Sequence, residues 1–74
     1  MTDFSMVKTG QRIKELRNDL GLTQKILAEK VGVATNTLTQ YEKGTAQTSL
    51  GVIFNLAIAL KTTTDYLLGL VDNL

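Results

Sequence analysis

Asn36, Thr39, Gln40 and Lys43 recur at i, i+3, i+4 and i+7, the spacing of one helix face. All four are polar, and five of the six residues from Thr35 to Gln40 are Thr, Asn or Gln. Thr and Asn are mediocre helix formers, so propensity does not select them. Their hydrogen-bonding groups suit another task. In the DNA major groove a side-chain amide bonds adenine at two points, and Thr donates, accepts or touches the thymine methyl. A solvated helix face in a small bundle has the same composition, so the elements around this one must decide between the two.

Other chemistries are excluded by composition. The 74 residues include no Cys, no His and no Pro. That removes disulfide staples, thiolate and imidazole metal sites, and imidazole acid–base catalysis. No carboxylate pair stands near a glycine-rich loop, so neither an enzyme nor a cofactor site is expected. A chain of this length forms one domain and buries about 60% of its unfolded surface. The fractions of hydrophobic (43%) and charged (20%) residues suit a globular domain. Without staples, stability rests on packing or on a partner subunit.

The net charge of +1 is unevenly placed. Residues 8–43 carry seven cations (Lys8, Arg12, Lys14, Arg17, Lys25, Lys30, Lys43) against four anions (Glu15, Asp19, Glu29, Glu42). Residues 44–74 carry Lys61 against Asp65 and Asp72. The first half suits a polyanion; scattered solvated lysines give a similar excess. The N-terminal residues lack the basic and apolar regions of a signal peptide. Apolar runs fall short of the roughly 18 residues of a membrane span. The expected location is cytoplasmic, and nucleoid-associated when bound to DNA.

Five helices follow from periodicity and punctuation, with no convincing strand. The first spans about Lys8 to Leu20, with Ile13, Leu16 and Leu20 on one face and Arg17 bordering it. Thr23 caps a short second helix with Leu27, Ala28 and Val31 inward, Ile26 outward, and Gly32 at its end. The third spans about Thr35 to Lys43, with Leu38 and Tyr41 inward. Ser49 caps a fourth over about Leu50–Leu60, where Leu50, Ile53, Phe54, Leu56, Ala57 and Leu60 suggest a wide core face. Thr63 or Thr64 caps a fifth over Asp65–Leu68. The second and third helices share the tight turn Gly32-Val33-Ala34, which describes a helix-turn-helix.

Gly10-Gln-Arg-Ile-Lys-Glu-Leu-Arg17, Gly21-Leu-Thr-Gln24, Leu27-Ala-Glu-Lys-Val-Gly-Val33 and Leu38-Thr-Gln-Tyr-Glu-Lys-Gly44, in this order, resemble the lambda-repressor-like (Xre-type) helix-turn-helix family. Leu56–Leu60 and Asp65–Gly69 are similar to its fourth and fifth helices. The resemblance covers about residues 8–69, leaving an N-terminal tail over 1–7 and an apolar tail over 70–74. It implies an all-α, compact five-helix bundle that binds double-stranded DNA through the major groove as a homodimer and regulates transcription, as a repressor on a pseudo-palindromic operator. It puts Thr35, Asn36, Thr39 and Gln40 near base edges. It puts Thr23, Gln24, Lys25, Thr37 and Lys43 near phosphates. Arg17 and Glu42 stand where the family has a paired Arg and Glu. The alternative is a protein-interaction module, such as an antitoxin or anti-repressor partner, on the same fold.

Several residues depart from the family pattern. Ala34 replaces the usual Ser or Thr cap of the recognition helix, unless Thr35 caps and shifts the helix start by one. Thr48 replaces a frequent proline. No arginine stands in the recognition helix to read guanine, so A·T pairs are the expected preference. Ile58, Tyr66, Leu67, Leu70, Val71 and Leu74 are candidates for a dimer surface; the competing expectation is that the tail folds back over its own core.

Overall fold

Hydroxyl caps mark most helix starts in the computed structural model, which describes residues 4–72. Ser5 Oγ accepts from Lys8 N (3.3 Å) and opens α1, Met6–Asp19. Thr23 Oγ1 accepts from Ile26 N (3.1 Å) and opens α2, Gln24–Val31. The third helix, α3, Thr35–Lys43, opens at Ala34 with no side-chain bond. Ser49 Oγ accepts from Val52 N (3.2 Å) to open α4, Leu50–Ala59. Thr63 Oγ1 accepts from Tyr66 N (3.0 Å) to open α5, Thr64–Leu68. Among the described residues there is no strand, so the fold is the all-helical bundle the sequence implies.

Helix α1 packs on α3 and α5, α2 on α3 and α4, and α4 on α5. Ile13, Leu27, Leu38, Leu56, Leu60 and Leu67 are fully buried where these contacts converge. The α1–α3 crossing is unusually close. A Cβ on Gly10 would stand 2.6 Å from the Glu42 carbonyl oxygen and press closer still on that of Tyr41. Only glycine lets the two backbones meet there. Gly44 ends α3 with φ +76°, and a side chain there would strike the Val7 backbone. Helix α4 ends without glycine, and Lys61 takes the left-handed turn at φ 58°.

Three expectations need correction. Helix α1 begins at Met6 rather than Lys8, because Ser5 supplies a cap and Met6 is buried. The face of α4 is narrower than its composition suggests: Ile53, Leu56, Ala57 and Leu60 are buried, whereas Leu50 (85% exposed) and Phe54 (59%) are not. A ten-residue helix touching two neighbours buries only one stripe, and Leu50, Phe54 and Ile58 form the adjacent line at i, i+4 and i+8. Leu67 is fully buried in the chain's own core, so it is not available to a second copy.

Ala34 is the cap of α3, with φ −69° and ψ 150°, and Thr35 is already helical. The backbone at Ala34 has the extended geometry that Ser uses, and the residue is exposed. Ala34→Ser should therefore stabilise the chain by about 1 kcal/mol. In a domain of this size that raises the thermal midpoint by about 4–8 °C. Scanning calorimetry of the two chains checks this; an unchanged midpoint would show that water already serves those amides fully.

Candidate nucleic-acid interface

Arg17 lies in the last turns of α1 with its side chain 11% exposed, facing the end of α3. Its Nε donates to Glu42 Oε2 at 2.7 Å and its Nη2 to Glu42 Oε1 at 3.1 Å. Its Nη1 donates to the Leu22 carbonyl at 2.9 Å. The Glu42 side chain is 3% exposed. Two parallel bonds of this kind fix orientation as well as distance. The Leu22 contact ties the α1–α2 connection into the same cluster, a contribution that no residue type in the sequence signals because its acceptor is backbone.

The cluster extends outward. Gln24, the first residue of α2, donates from Nε2 to Glu42 Oε1 at 3.0 Å. Thr39 Oγ1 donates to Gln24 Oε1 at 3.1 Å and lies equally close to the Thr35 carbonyl. Arg17, Glu42, Gln24 and Thr39 thus form one chain of hydrogen bonds across α1, α2 and α3. Thr39 and Gln24 are half-buried, and the sequence reading that set them directly against DNA did not include their bond to each other.

Around this network stand the remaining polar residues. Thr35, Asn36, Gln40 and Lys43 of α3 are exposed, as are Thr23 and Lys25 at the start of α2. Thr37 is half-buried. Thr23 accepts the α2 cap bond through one lone pair of its hydroxyl, which leaves the hydroxyl hydrogen free to donate outward. The arrangement presents two amides and a hydroxyl on a short helix, with Lys43 at its C-terminal end and Lys25 next to Gln24 on α2. It offers no nucleophile–base pair. Among the described residues no cluster of His, Cys, Asp or Glu could hold a metal ion, and no helix is long and apolar enough to cross a membrane.

The candidates for a dimer surface divide. Ile58 (63%), Leu70 (74%) and Val71 (39%) are exposed, so the described part of the tail does not cover the core. Tyr66 is half-buried beneath the Arg12 guanidinium, 5.7 Å from the ring centre. Leu74 lies outside the described residues.

A helix-turn-helix family model matches residues 13–67. The HTH-type transcriptional regulator ImmR of Bacillus subtilis is 38% identical over 60 residues, 81% of this chain and 47% of that protein. The chain spans about half the length of the curated relatives it matches first, 47%, 56% and 53%. Among solved structures, the restriction-modification controller protein C.AhdI from Aeromonas hydrophila superposes with a TM-score of 0.79 at 39% identity. That match covers 84% of this chain and 94% of the other. The P22 c2 repressor, solved in complex with a synthetic operator, gives 0.79 at 32% identity, over 81% of this chain and 91% of that one.

Removing one partner of a buried pair strands the other charge, at a cost of about 3–5 kcal/mol. Glu42→Gln should therefore consume much of the total stability, which for a domain of this size is about 5–10 kcal/mol. Urea unfolding followed by circular dichroism measures it. A midpoint equal to the parent's would mean that the pair carries no weight in solution.

Proposed function

The chain belongs to the lambda-repressor-like (Xre-type) helix-turn-helix family, a family of DNA-binding transcriptional regulators, and on that premise we propose that it binds a pseudo-palindromic operator as a homodimer and represses transcription. The observation that carries this reading is the exposed amide face of α3, held in place by a buried ion pair at the end of the same helix. A helix so held enters the major groove as one rigid reader. Thr35, Asn36 and Gln40 meet base edges. Lys25 and Lys43 meet phosphates, joined by Thr23, Thr37 and the Gln24 Nε2 hydrogen that Glu42 does not take. With amides and no arginine on α3, direct readout favours A·T pairs at the centre of each half-site. The solved P22 c2 repressor–operator complex supports the same use of the fold. The protein acts in the cytoplasm, associated with the nucleoid.

Repression follows by occupancy: a bound dimer excludes polymerase. The dimer surface comprises Ile58, Leu70 and Val71, extended along α4 by Phe54 and Leu50. Leu50 and Phe54 also line an apolar groove of about 520 Å³, completed by Thr64 and Leu68. Helix α4 itself carries no charged residue, so its exposed line can meet a second copy without burying a charge of its own. Such a dimer must set its recognition helices about 34 Å apart, one turn of DNA.

Duplexes selected from a random pool supply the operator probe. Asn36→Ala and Gln40→Ala should each weaken binding to it by about 1–3 kcal/mol while leaving folding intact. Lys43→Ala should weaken binding to every duplex and flatten the salt dependence by about one unit of slope. If no duplex is bound in a salt-sensitive way, the protein-interaction alternative replaces this reading.

Sedimentation velocity tests the dimer separately. Ile58→Asp should shift the chain to monomer at micromolar concentrations. A variant that sediments as the parent does would place the contact elsewhere.

A further inference from the structure

The Thr39 hydroxyl faces inward chemically although the residue stands on the reading helix. Glu42 is a carboxylate that already accepts both Arg17 bonds, so the amide end of Gln24 must turn toward it, and Nε2 donates at 3.0 Å. The amide oxygen is then directed at α3, where Thr39 Oγ1 stands 3.1 Å away. A hydroxyl has one hydrogen. Both acceptors within reach of it, Gln24 Oε1 and the Thr35 carbonyl at 3.1 Å, belong to the chain itself. None is left to donate to a base.

We propose that Thr39 is a positioning residue for base reading: through the Gln24 amide it keys the recognition helix to the buried Arg17–Glu42 pair, and the sequence preference exerted by Asn36 and Gln40 depends on that link. The proposal rests on the DNA-reading function above. Its logic is geometric. Asn36 stands three residues before Thr39 on the same face, and Gln40 directly follows it. A bidentate amide contact must be held to within about 0.5 Å and 10–20°. The ion pair fixes the C-terminal end of α3, while its N-terminal cap makes no side-chain bond. The Thr39–Gln24 bond is the polar tie at the middle of the helix. Loosening it lets the helix turn about its axis and moves both amides together. Contacts to phosphate, which tolerate more slack, suffer little.

Positioning and reading leave different signatures. The full-length chain is tested against the duplex it selects from a random pool, every single-base-pair variant of that duplex, and one unrelated duplex. Thr39→Val should lower the preference for the selected over the unrelated duplex about three- to tenfold. The loss should spread over all positions the parent discriminates, with affinity for the unrelated duplex unchanged and both chains fully folded at the assay temperature. Thr39→Ser, which keeps the hydroxyl, should restore the preference. A loss confined to one base pair makes Thr39 a base reader and overturns the proposal. Preferences in Thr39→Val equal to the parent's overturn it too, as does a serine variant that restores nothing. An equal loss on both duplexes together with a lower thermal midpoint marks a purely structural residue, again against it. A parent that selects no sequence at all overturns the operator reading and the proposal with it, and is distinguished by failing before any variant is made.

Discussion

The Arg17 guanidinium is asked to satisfy three acceptors from two parts of the chain at once, Glu42 twice and the Leu22 carbonyl once. Its planar fork permits this in only one relative placement of α1, α3 and the α1–α2 connection. Such a pair is a poor source of net stability, since well-packed apolar residues of similar volume often do as well or better. Its effect is discrimination: any other docking of α3 leaves two charges buried without partners. Gly10 makes that docking sterically possible, because a side chain there would collide with the carbonyls of Tyr41 and Glu42. One missing Cβ and one ion pair therefore set the distance and direction of the helix that carries the whole polar face.

Most of the fold was legible because local chemistry and global packing agree. Ser49, Thr23 and Gly32 act in the structure as their residue types suggest, and Ile13, Leu27, Leu38 and Leu56 fall on the buried stripes that their spacing defines. Where reading failed, the missing information was tertiary. Leu50 and Phe54 are apolar and suitably spaced, but only the positions of α2 and α5 determine how much of α4 is covered. Leu67 looks like its exposed neighbour Leu70 until the depth of α5 is known. The start of α1 depended on Ser5, whose capping role competes with the weak pattern of an N-terminal tail.

The candidate site was legible to a different depth. Residue types identified which side chains carry hydrogen-bonding capacity, and helical spacing put them on one face. Neither reveals how that capacity is divided between the chain and a ligand. Thr39 and Gln40 are adjacent and both polar, yet Thr39 spends its hydrogen inside the protein and the Gln40 side chain is exposed. Gln24 is similarly divided, one hydrogen to Glu42 and one free. The distinction depends on distances between three helices, which sequence spacing within one helix cannot supply.

Helix α2 links the two surfaces that matter. Its first residue, Gln24, is bonded to Glu42 and Thr39 of α3, and its stripe of Leu27, Ala28 and Val31 is buried, with α4 packed alongside. The exposed polar face lies on α3 and the exposed apolar line Leu50–Phe54–Ile58 on α4. In a two-fold dimer joined through α4, the position of each α3 relative to the axis would be defined through α2 on one side and through α1 and α5 on the other. Symmetry applies the same error to both copies, so a tilt of α3 against α2 shifts the two readers in opposite directions and counts twice in their spacing. DNA accommodates a wrong spacing only by bending or twisting, at a cost in free energy. The polar bonds among Gln24, Thr39 and Glu42 stand at the α2–α3 joint, where in such a dimer any angular slack would be doubled.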